Sequence, residues 1–297
     1  MAEKATFFFE AEFLRKLERL SLLSRRVFTG QVKGEKKSPR RGTSVEFADY
    51  RNYVPGDDLR YLDWNIYGRL DRLLLKLFVE EEDLRVYLLL DRSRSMDFGA
   101  PTKFDYARRV AAALAYLALV GLDRVAVRAF AETLEPGLPL LRGRGNVWPV
   151  FEYLSRLQPG GETRLSEALT RQAQETKRPG LCILLSDFLD PQGYQRGLDA
   201  LVGRGFEVVV IQVLDAEELQ PSLVGDLKLV DAESGEEREI TVSESLLRAY
   251  RRNVEEFCAE LQTYCHGRGL TYLRTTTAQP FEILVLTTLR RRGVVGG

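Results

Sequence analysis

The 297-residue sequence predicts an α/β fold: a doubly wound, mostly parallel sheet of the Rossmann-like type, with a small N-terminal appendage and a β-hairpin insertion. Two observations predict this fold. Short apolar runs alternate with longer segments of helical period, as strands and helices do along a parallel sheet. The runs at 84–90, 181–187 and 206–212 are almost continuously apolar, which is typical of strands buried on both faces.

The first 82 residues form the predicted N-terminal region. A helix is expected at its start, because Phe13, Leu17 and Leu20 recur at helical spacing, with Leu23 as the last apolar position. The segment 25–41 is basic and rich in small or turn-forming residues, so we expect an exposed loop there. A strand is predicted at 73–79, where the sequence is again apolar.

Residues 83–297 form the second predicted domain, in which helices and strands alternate. The predicted helices lie at 104–122, 147–157, 165–177 and 243–265. The predicted strands lie at 84–90, 124–130, 133–138, 181–187, 206–212 and 270–274. At about 219–242 two short strands flank Ser234 and Gly235, which predicts the inserted hairpin.

Composition excludes several classes of function. Lysine plus arginine equals aspartate plus glutamate, 43 of each, so the charge balance does not favour nucleic acid or an acidic membrane surface. Three cysteines without close paired spacing indicate reduced, structural thiols. The longest uncharged apolar run, 110–122, is shorter than the roughly 20 residues of a transmembrane helix. These features predict a cytoplasmic protein without a membrane span.

Oxygen-bearing side chains follow the apolar run at 84–90. Asp91, Ser93 and Ser95 occupy alternate positions directly after it. Ligands in open α/β sheets bind at the carboxyl ends of strands, and oxygen is the ligand atom that Mg²⁺ requires. This spacing predicts a metal site; the alternative is that Asp91 and Ser93 only cap the following turn.

Two later segments extend the pattern. Gly160 and Gly161 open a loop that leads through Thr163 to a predicted helix beginning at Leu165. Asp187 ends the apolar strand at 181–187. Both could reach the same edge of the sheet; alternatively, Thr163 caps the helix that it precedes.

Together the three segments resemble a von Willebrand factor A domain with its metal-ion-dependent adhesion site. The resemblance implies that one divalent ion, Mg²⁺ or Mn²⁺, lies among five side chains: Asp91, Ser93, Ser95, Thr163 and Asp187. Glu162 departs from the family, which more often has threonine at that position. Hydroxyl ligands leave much of the charge of the ion uncompensated, so a vacant coordination position would attract an acidic side chain of a partner protein.

A second resemblance covers residues 43–82. The core Tyr-x-Pro-Gly-Asp-x-x-Arg-x-x-Asp-Trp, from Tyr53 to Trp64, is similar to the signature of the DUF58 family. Many members of this family join that block to a von Willebrand A-like domain and are encoded beside MoxR-type AAA+ ATPases. The resemblance therefore implies a MoxR-like ATPase as protein partner.

The charged residues of this block have two interpretations. Arg51, Asp57, Arg60 and Asp63 bring opposite charges together beside several aromatic residues. They form either a locally paired cap with aromatic anchors or a docking surface for a partner.

The functional hypothesis is a non-enzymatic, metal-dependent protein-binding module that works with a MoxR-type ATPase. No phosphate-binding G-x-x-x-x-G-K-[ST] loop and no G-x-S-x-G nucleophile elbow occur in the sequence, and no small-molecule substrate is expected. Two alternatives stay open. One is a scaffold that binds partners without metal. The other is a metal-dependent phosphohydrolase, which the serine and threonine content of the site disfavours.

Overall fold

The computed structural model describes residues 11–22, 45–80, 84–221, 225–230, 237–291 and 293–296. The chain forms two compact units, Val27–Asp83 on its own and Met1–Arg26 together with Leu84–Gly297. The predicted boundary at 82/83 therefore needs correction at the N-terminus, because the described residues 11–22 belong to the larger unit. The predicted basic loop at 25–41 lies outside the described residues.

The N-terminal helix explains this correction. Helix α1 (Ala11–Leu17) buries Phe13 and Leu17 in the core of the larger unit, where the Phe13 ring packs edge-on against Phe281 at 5.2 Å. The helix is shorter than the apolar pattern suggested and is followed by strand β1 (Ser21–Leu22). Apolar spacing revealed the buried face, but it did not indicate which unit covers that face.

The smaller unit consists of an antiparallel pair of strands with a short helix between them. Strand β2 (Val45–Asn52) pairs with β3 (Leu74–Glu80), which confirms the strand predicted at 73–79. Helix α2 (Trp64–Leu70) lies between them, and the Asp63 carboxylate caps it by accepting hydrogen bonds from two backbone N–H groups of its first turn.

A six-stranded sheet forms the centre of the larger unit. Its strands are β4 (Arg85–Asp91), β5 (Arg124–Phe130), β6 (Leu138–Arg142), β7 (Leu181–Ser186), β8 (Glu207–Leu214) and a later strand, Thr271–Thr276. The order across the sheet is Thr271–Thr276, β8, β7, β4, β5, β6. All neighbours are parallel except β5 and β6, which confirms the predicted mostly parallel sheet.

One strand was predicted in the wrong place. The prediction placed it at 133–138, whereas β6 begins at Leu138. Phe130 and Leu134 form a bridge across a tight turn, and Pro136 has no N–H to donate to a ladder. At Gly137 a Cβ atom would lie 2.1 Å from the Val127 carbonyl oxygen, so only glycine allows the chain to turn back there.

Helices cover both faces of the sheet. They are α3 (Lys103–Val120), α4 (Val147–Arg156), α5 (Leu165–Glu175), α6 (Gln195–Arg204), α7 (Ala216–Leu219) and α8 (Glu244–Gly267). One apolar core joins α1, α3 and α4 to the face of β4 that carries Leu88 and Leu90. The other joins α5, α6 and α8 to the face that carries Leu89. The doubly wound arrangement follows from these two cores.

Two peripheral strand pairs complete the larger unit. The predicted insertion is a hairpin of β9 (Gly225–Val230) and β10 (Glu237–Val242). After β11 (Thr271–Thr276), a helical segment that contains a π-helical stretch at Leu284–Thr288 leads to β12 (Val295–Gly296), which pairs with β1. Within the described parts of the chain, no helix has both the length and the apolarity needed to cross a bilayer.

The strand order creates a switch point between β4 and β7. From β4 the chain crosses through α3 to β5 on one side, whereas from β7 it crosses through α6 to β8 on the other side. Connections that diverge in this way leave a crevice at the carboxyl ends of the two strands, where open α/β sheets bind their ligands.

Close packing between α5 and α6 yields a stability prediction. A Cβ atom at Gly197 would lie 2.8 Å from Ser166 Cα, whereas Gly203 in the same helix has no heavy atom within 4 Å of such a Cβ. We expect Gly197→Ala to lower the free energy of unfolding by about 1–3 kcal/mol, because the helices must separate.

Gly203→Ala is the matched control and should raise the free energy of unfolding by about 0.5–1 kcal/mol through helix propensity. Urea denaturation of both variants measures the difference. Equal stability of the two variants would contradict the close approach at Gly197.

Candidate functional site

The candidate site lies where β4 and β7 end side by side. Asp91 is the last residue of β4, and Asp187 directly follows β7. Ser93 and Ser95 lie in the loop after β4, which forms a short 3₁₀ helix at Arg94–Asp97. Because Leu90 pairs with Leu185 in the parallel register, the next residues of both strands meet at the crevice.

A continuous hydrogen-bond network connects four of the five predicted residues. Ser186 Oγ donates to Asp91 Oδ2 at 2.5 Å, and the Ser93 N–H donates to Asp91 Oδ1 at 2.9 Å. The hydroxyl oxygens of Ser93 and Ser95 are 3.0 Å apart. Ser95 Oγ then donates to Asp187 Oδ2 at 2.9 Å. The structure therefore brings these side chains into one cluster, while the Ser93 N–H also makes the local turn contact that the capping alternative requires.

Thr163 lies on a neighbouring loop and is buried. That loop is hydrogen-bonded to the loop after β4: the Gly160 N–H donates to the Arg92 carbonyl at 2.6 Å, and the Arg94 N–H donates to the Gly161 carbonyl at 2.9 Å. Helix α5 begins two residues after Thr163, and its first N–H, from Leu165, donates to a carboxylate oxygen of Asp190 at 2.7 Å. The loop that carries Thr163 therefore lies against the loop that carries Ser93.

Sequence reasoning missed a buried cation in this cluster. The Lys103 ammonium is fully buried and donates to Asp187 Oδ2 at 2.7 Å and to Glu218 Oε1. Lys103 is the first residue of α3, where the helix dipole disfavours a positive charge, and its side chain is buried beside a helix whose second half, 110–120, carries no charge. A lysine at such a position signals carboxylate partners elsewhere in the fold, although the sequence does not reveal which ones.

A second layer of buried polar groups holds the Asp187 segment. Gln212 Nε2 donates to the Asp187 carbonyl at 3.1 Å, and the Tyr272 hydroxyl donates to Gln212 Oε1 at 2.6 Å. The next residue, Phe188, has a φ of 66°, which costs about 1–3 kcal/mol for a bulky side chain. Its N–H donates to Ser186 Oγ at 2.9 Å, so the strained turn is part of the same network.

The electrostatics of the site follow from its burial. Burial and, to a lesser extent, nearby Asp187 raise the pKa of Asp91, while hydrogen bonds from Ser186 and Ser93 lower it; the net pKa is about 7. For Lys103, burial lowers the pKa, but Asp187 and Glu218 together more than compensate, and the net shift is upward. The pKa of Glu218 is raised by burial against the opposing effect of Lys103.

The donor set fits a small divalent cation. An octahedral ion with metal–oxygen distances of about 2.1 Å has neighbouring ligands about 3 Å apart. The two serine hydroxyl oxygens are separated by 3.0 Å. Among the described residues no group of three or more His, Cys, Asp and Glu side chains could hold a metal, so a site here depends on hydroxyl ligands as well as carboxylates. Ser93 and Ser95 could bind the ion directly, with Asp91 and Asp187 acting through bound water.

The charged residues of the smaller unit are paired locally. Arg51 forms a two-point ion pair with Asp57, both N–O distances being 2.7 Å. Arg60 pairs with Asp58, and Asp63 accepts a hydrogen bond from the Tyr50 hydroxyl at 2.9 Å in addition to capping α2. This geometry favours the interpretation as a locally paired cap, and docking through these four charges stays a prediction.

Apolar side chains, rather than charges, are the unexpected feature of this unit. Trp64 and Leu70 are 60% and 65% exposed, although residues of this size are seldom so exposed in a group. The exposed apolar residues of the unit are Val54, Leu59, Tyr61, Trp64, Tyr67, Leu70 and Leu73. Sequence reasoning treated the aromatic residues as anchors and therefore missed this surface.

The burial of Asp91 predicts a pH dependence of stability. Its pKa is about 7 in the folded protein and about 4 in an unfolded chain. Without a divalent ion, the folded state holds an extra proton between these values, so stability is lost as the pH rises from about 4 to about 7. Asp91→Asn cannot titrate and should not show this loss.

Urea denaturation of both proteins in EDTA across that pH range tests the prediction. Titrating groups distant from the site contribute equally to both proteins, so the difference in unfolding free energy reports Asp91 together with the groups that interact with it, above all Asp187. That difference should shift in favour of the variant as the pH rises, and a constant difference would contradict the assignment.

Comparisons with known proteins place the chain in a family. Two relatives, the uncharacterized proteins Mb1516 of Mycobacterium bovis and Rv1480 of Mycobacterium tuberculosis, are each 29% identical over 95% of this chain and 90% of their own length. Among solved structures, BatB from Bacteroides thetaiotaomicron is 16% identical, covering 70% of this chain and 98% of that chain with a TM-score of 0.43.

An aerotolerance-related membrane protein from Bacteroides fragilis is 15% identical, covering 71% of this chain and 98% of that chain with a TM-score of 0.44. These two scores are too low to establish a common fold. The family model described as "Protein of unknown function DUF58" matches residues 49–259, most of both units. The chain therefore belongs to the DUF58 family, as the signature from Tyr53 to Trp64 indicated.

Proposed function

We propose that this protein is a non-enzymatic, metal-dependent protein-binding module whose larger unit works as a von Willebrand A-like domain. In this proposal Mg²⁺ or Mn²⁺ binds at the carboxyl ends of β4 and β7. The observation that carries it is the pair of serine hydroxyls, Ser93 and Ser95, 3.0 Å apart and hydrogen-bonded into the network of Asp91 and Asp187. Thr163, on the adjoining loop, is the fifth proposed ligand.

The chemistry of the ligand set supports binding rather than turnover. Neutral hydroxyls contact the ion, so its positive charge is only partly compensated and is available to a carboxylate from another protein. Hydrolytic metal sites concentrate carboxylates and histidines on the metal and polarise a bound water. Here the carboxylate of Asp187 is engaged by Lys103 and Ser95, and that of Asp91 by Ser186 and the Ser93 N–H. The expected ligand is therefore an acidic side chain of a partner protein.

The partner follows from the family resemblance. DUF58 proteins are often encoded beside MoxR-type AAA+ ATPases, and we propose such an ATPase as the protein that this module binds or adapts to its clients. An acidic residue on an exposed loop of the ATPase or of its client would complete the coordination of the ion.

Metal binding should stabilise the folded protein. At a concentration one hundred times the Kd, Mg²⁺ or Mn²⁺ would add about 2.7 kcal/mol to the free energy of unfolding, which raises Tm by several degrees. Ser93→Ala removes a ligand while costing about 1 kcal/mol of stability through its lost hydrogen bond, so the variant should fold but show no metal-dependent shift.

The control is Ser155→Ala. Ser155 lies on α4, where its hydroxyl donates to the Glu152 carbonyl at 2.8 Å and is not one of the groups in the hydrogen-bond network of the site. This variant should keep the full shift in a differential scanning experiment. A wild-type protein whose Tm is the same in EDTA and in Mn²⁺ would refute the metal site.

A second candidate function is supported by the exposed apolar surface of the smaller unit. A large apolar patch on a monomer commonly marks a contact with another protein. The rings of Trp64 and Tyr67 pack edge-on, with their centroids 6.2 Å apart. Tryptophan and tyrosine are among the residue types that most often dominate the binding energy of interfaces. In this alternative the smaller unit docks a partner without any metal.

Binding to a purified, nucleotide-free MoxR-type ATPase from the same genome distinguishes the two functions. If the metal site captures the partner, Ser93→Ala should weaken binding in Mg²⁺ at least tenfold, and EDTA should weaken wild-type binding equally. If the smaller unit docks it, Trp64→Ala should weaken binding by about 2 kcal/mol, or roughly thirtyfold, in both buffers.

A further inference from the structure

The buried Lys103 ammonium is shared between two carboxylates that come from different parts of the fold. Asp187 follows β7, and Glu218 belongs to α7 after β8. Asp187 Oδ2 accepts from Lys103 and from Ser95 at the same time, at 2.7 and 2.9 Å. The ammonium therefore contacts one residue of the proposed metal site, Asp187, directly and is one side chain away from another, Ser95.

The two carboxylates are held in different ways. Glu218 is fixed by its other oxygen, Oε2, which accepts the Asp215 N–H at 2.8 Å in a capping box at the start of α7. Its Oε1 is left for Lys103. Asp187 accepts a hydrogen bond from the ammonium and would also interact with any ion that binds beside Ser95. When an ion interacts with Asp187, Lys103 therefore still has a second, preformed acceptor in Glu218.

The placement of Lys103 is costly without these partners. A fully buried ammonium loses its hydration, and at the first turn of a helix it also faces the positive end of the helix dipole. Three carboxylates, those of Asp91, Asp187 and Glu218, accompany this one ammonium. When all four groups are ionised the cluster carries two negative charges in excess, which a divalent ion would balance.

We infer that Lys103 is a resident counter-charge of the cation site: it competes with the divalent ion for Asp187 and is transferred towards Glu218 when the ion binds. The inference rests on the proposed function, since it concerns the same site. Lys103 is a positioning residue that acts through Asp187 and sets how tightly the ion is held. Glu218 has the opposite effect, because it draws the ammonium away from Asp187.

Two variants, one that removes a positive charge and one that removes a negative charge, test the competition between Lys103 and the ion for Asp187. Lys103→Met removes the competing cation, so Mn²⁺ should bind at least tenfold more tightly. Glu218→Gln keeps the lysine but removes its alternative acceptor, so Mn²⁺ should bind at least fivefold more weakly. Titration of free Mn²⁺ by electron paramagnetic resonance gives both Kd values directly. Damage to the fold would weaken binding in either variant, so tighter binding by Lys103→Met is not a structural side effect.

Matched surface substitutions control for net charge. Lys177→Met, at an exposed position after α5, and Glu152→Gln, on an exposed face of α4, make the same charge changes away from the site. Both should leave the Mn²⁺ Kd within twofold of the wild-type value. A comparable change in these controls would mean that overall charge, not the position of Lys103, sets the affinity, and would overturn the inference.

The outcomes separate this inference from the proposed function. Wild-type protein that binds no Mn²⁺ overturns both. Wild-type protein that binds Mn²⁺, with Lys103→Met binding no more tightly and Glu218→Gln no more weakly, overturns the counter-charge role alone. If Lys103→Met does not fold without metal, Glu218→Gln, which retains the pair between Lys103 and Asp187, decides the question, provided that its Tm in EDTA equals that of the wild type and so excludes damage to the fold.

Discussion

The parallel pairing of β4 with β7 is the constraint on which the candidate site depends. Its register, from Val86 opposite Leu181 to Leu90 opposite Leu185, brings the ends of two strands from distant parts of the chain into contact. Asp91 and Ser186 then form a buried hydrogen bond across the two strands. A buried carboxylate without such donors would be strongly destabilising, so strand pairing and the satisfaction of Asp91 support each other.

The site contains more charge than a stable core requires. Breaking a buried ion pair is costly, but forming one contributes little net stability compared with apolar packing. The sheet around the site is packed with leucine, valine and isoleucine. Several ionisable groups with shifted pKa values cluster at the switch point, an arrangement that is typical of functional sites and supports the proposal of a cation site.

Sequence reasoning recovered the features that depend on local pattern. Near-continuous apolar runs located β4, β7 and β8, and the alternate spacing of Asp91, Ser93 and Ser95 located the loop of the site. It failed where long-range contacts decide the outcome. Lys103 is 84 residues from Asp187 and 115 from Glu218, and no local period links residues at such separations.

The other misses have similar causes. The apolar face of helix α1 can be predicted from the sequence. The unit against which that face packs is determined by tertiary contacts, which the sequence pattern does not reveal. The strand predicted at 133–138 contains Pro136 and Gly137, and the tight turn after Phe130 delays ladder pairing until Leu138. The aromatic residues of the smaller unit were expected to be anchors. Residue type does not reveal their exposure, because amphipathic aromatic side chains are common both in cores and on surfaces.

The two tryptophans of the chain are distributed one to each unit. Trp64 lies on α2 of the smaller unit, and Trp148 lies on α4 of the larger one. Both indoles are partly accessible, at 60% and 41%. Each unit thus carries its own intrinsic fluorophore, and replacing either indole with phenylalanine would leave an emission signal that comes from a single unit. Tryptophan fluorescence of such single-indole variants would therefore report which of the two units a ligand binds.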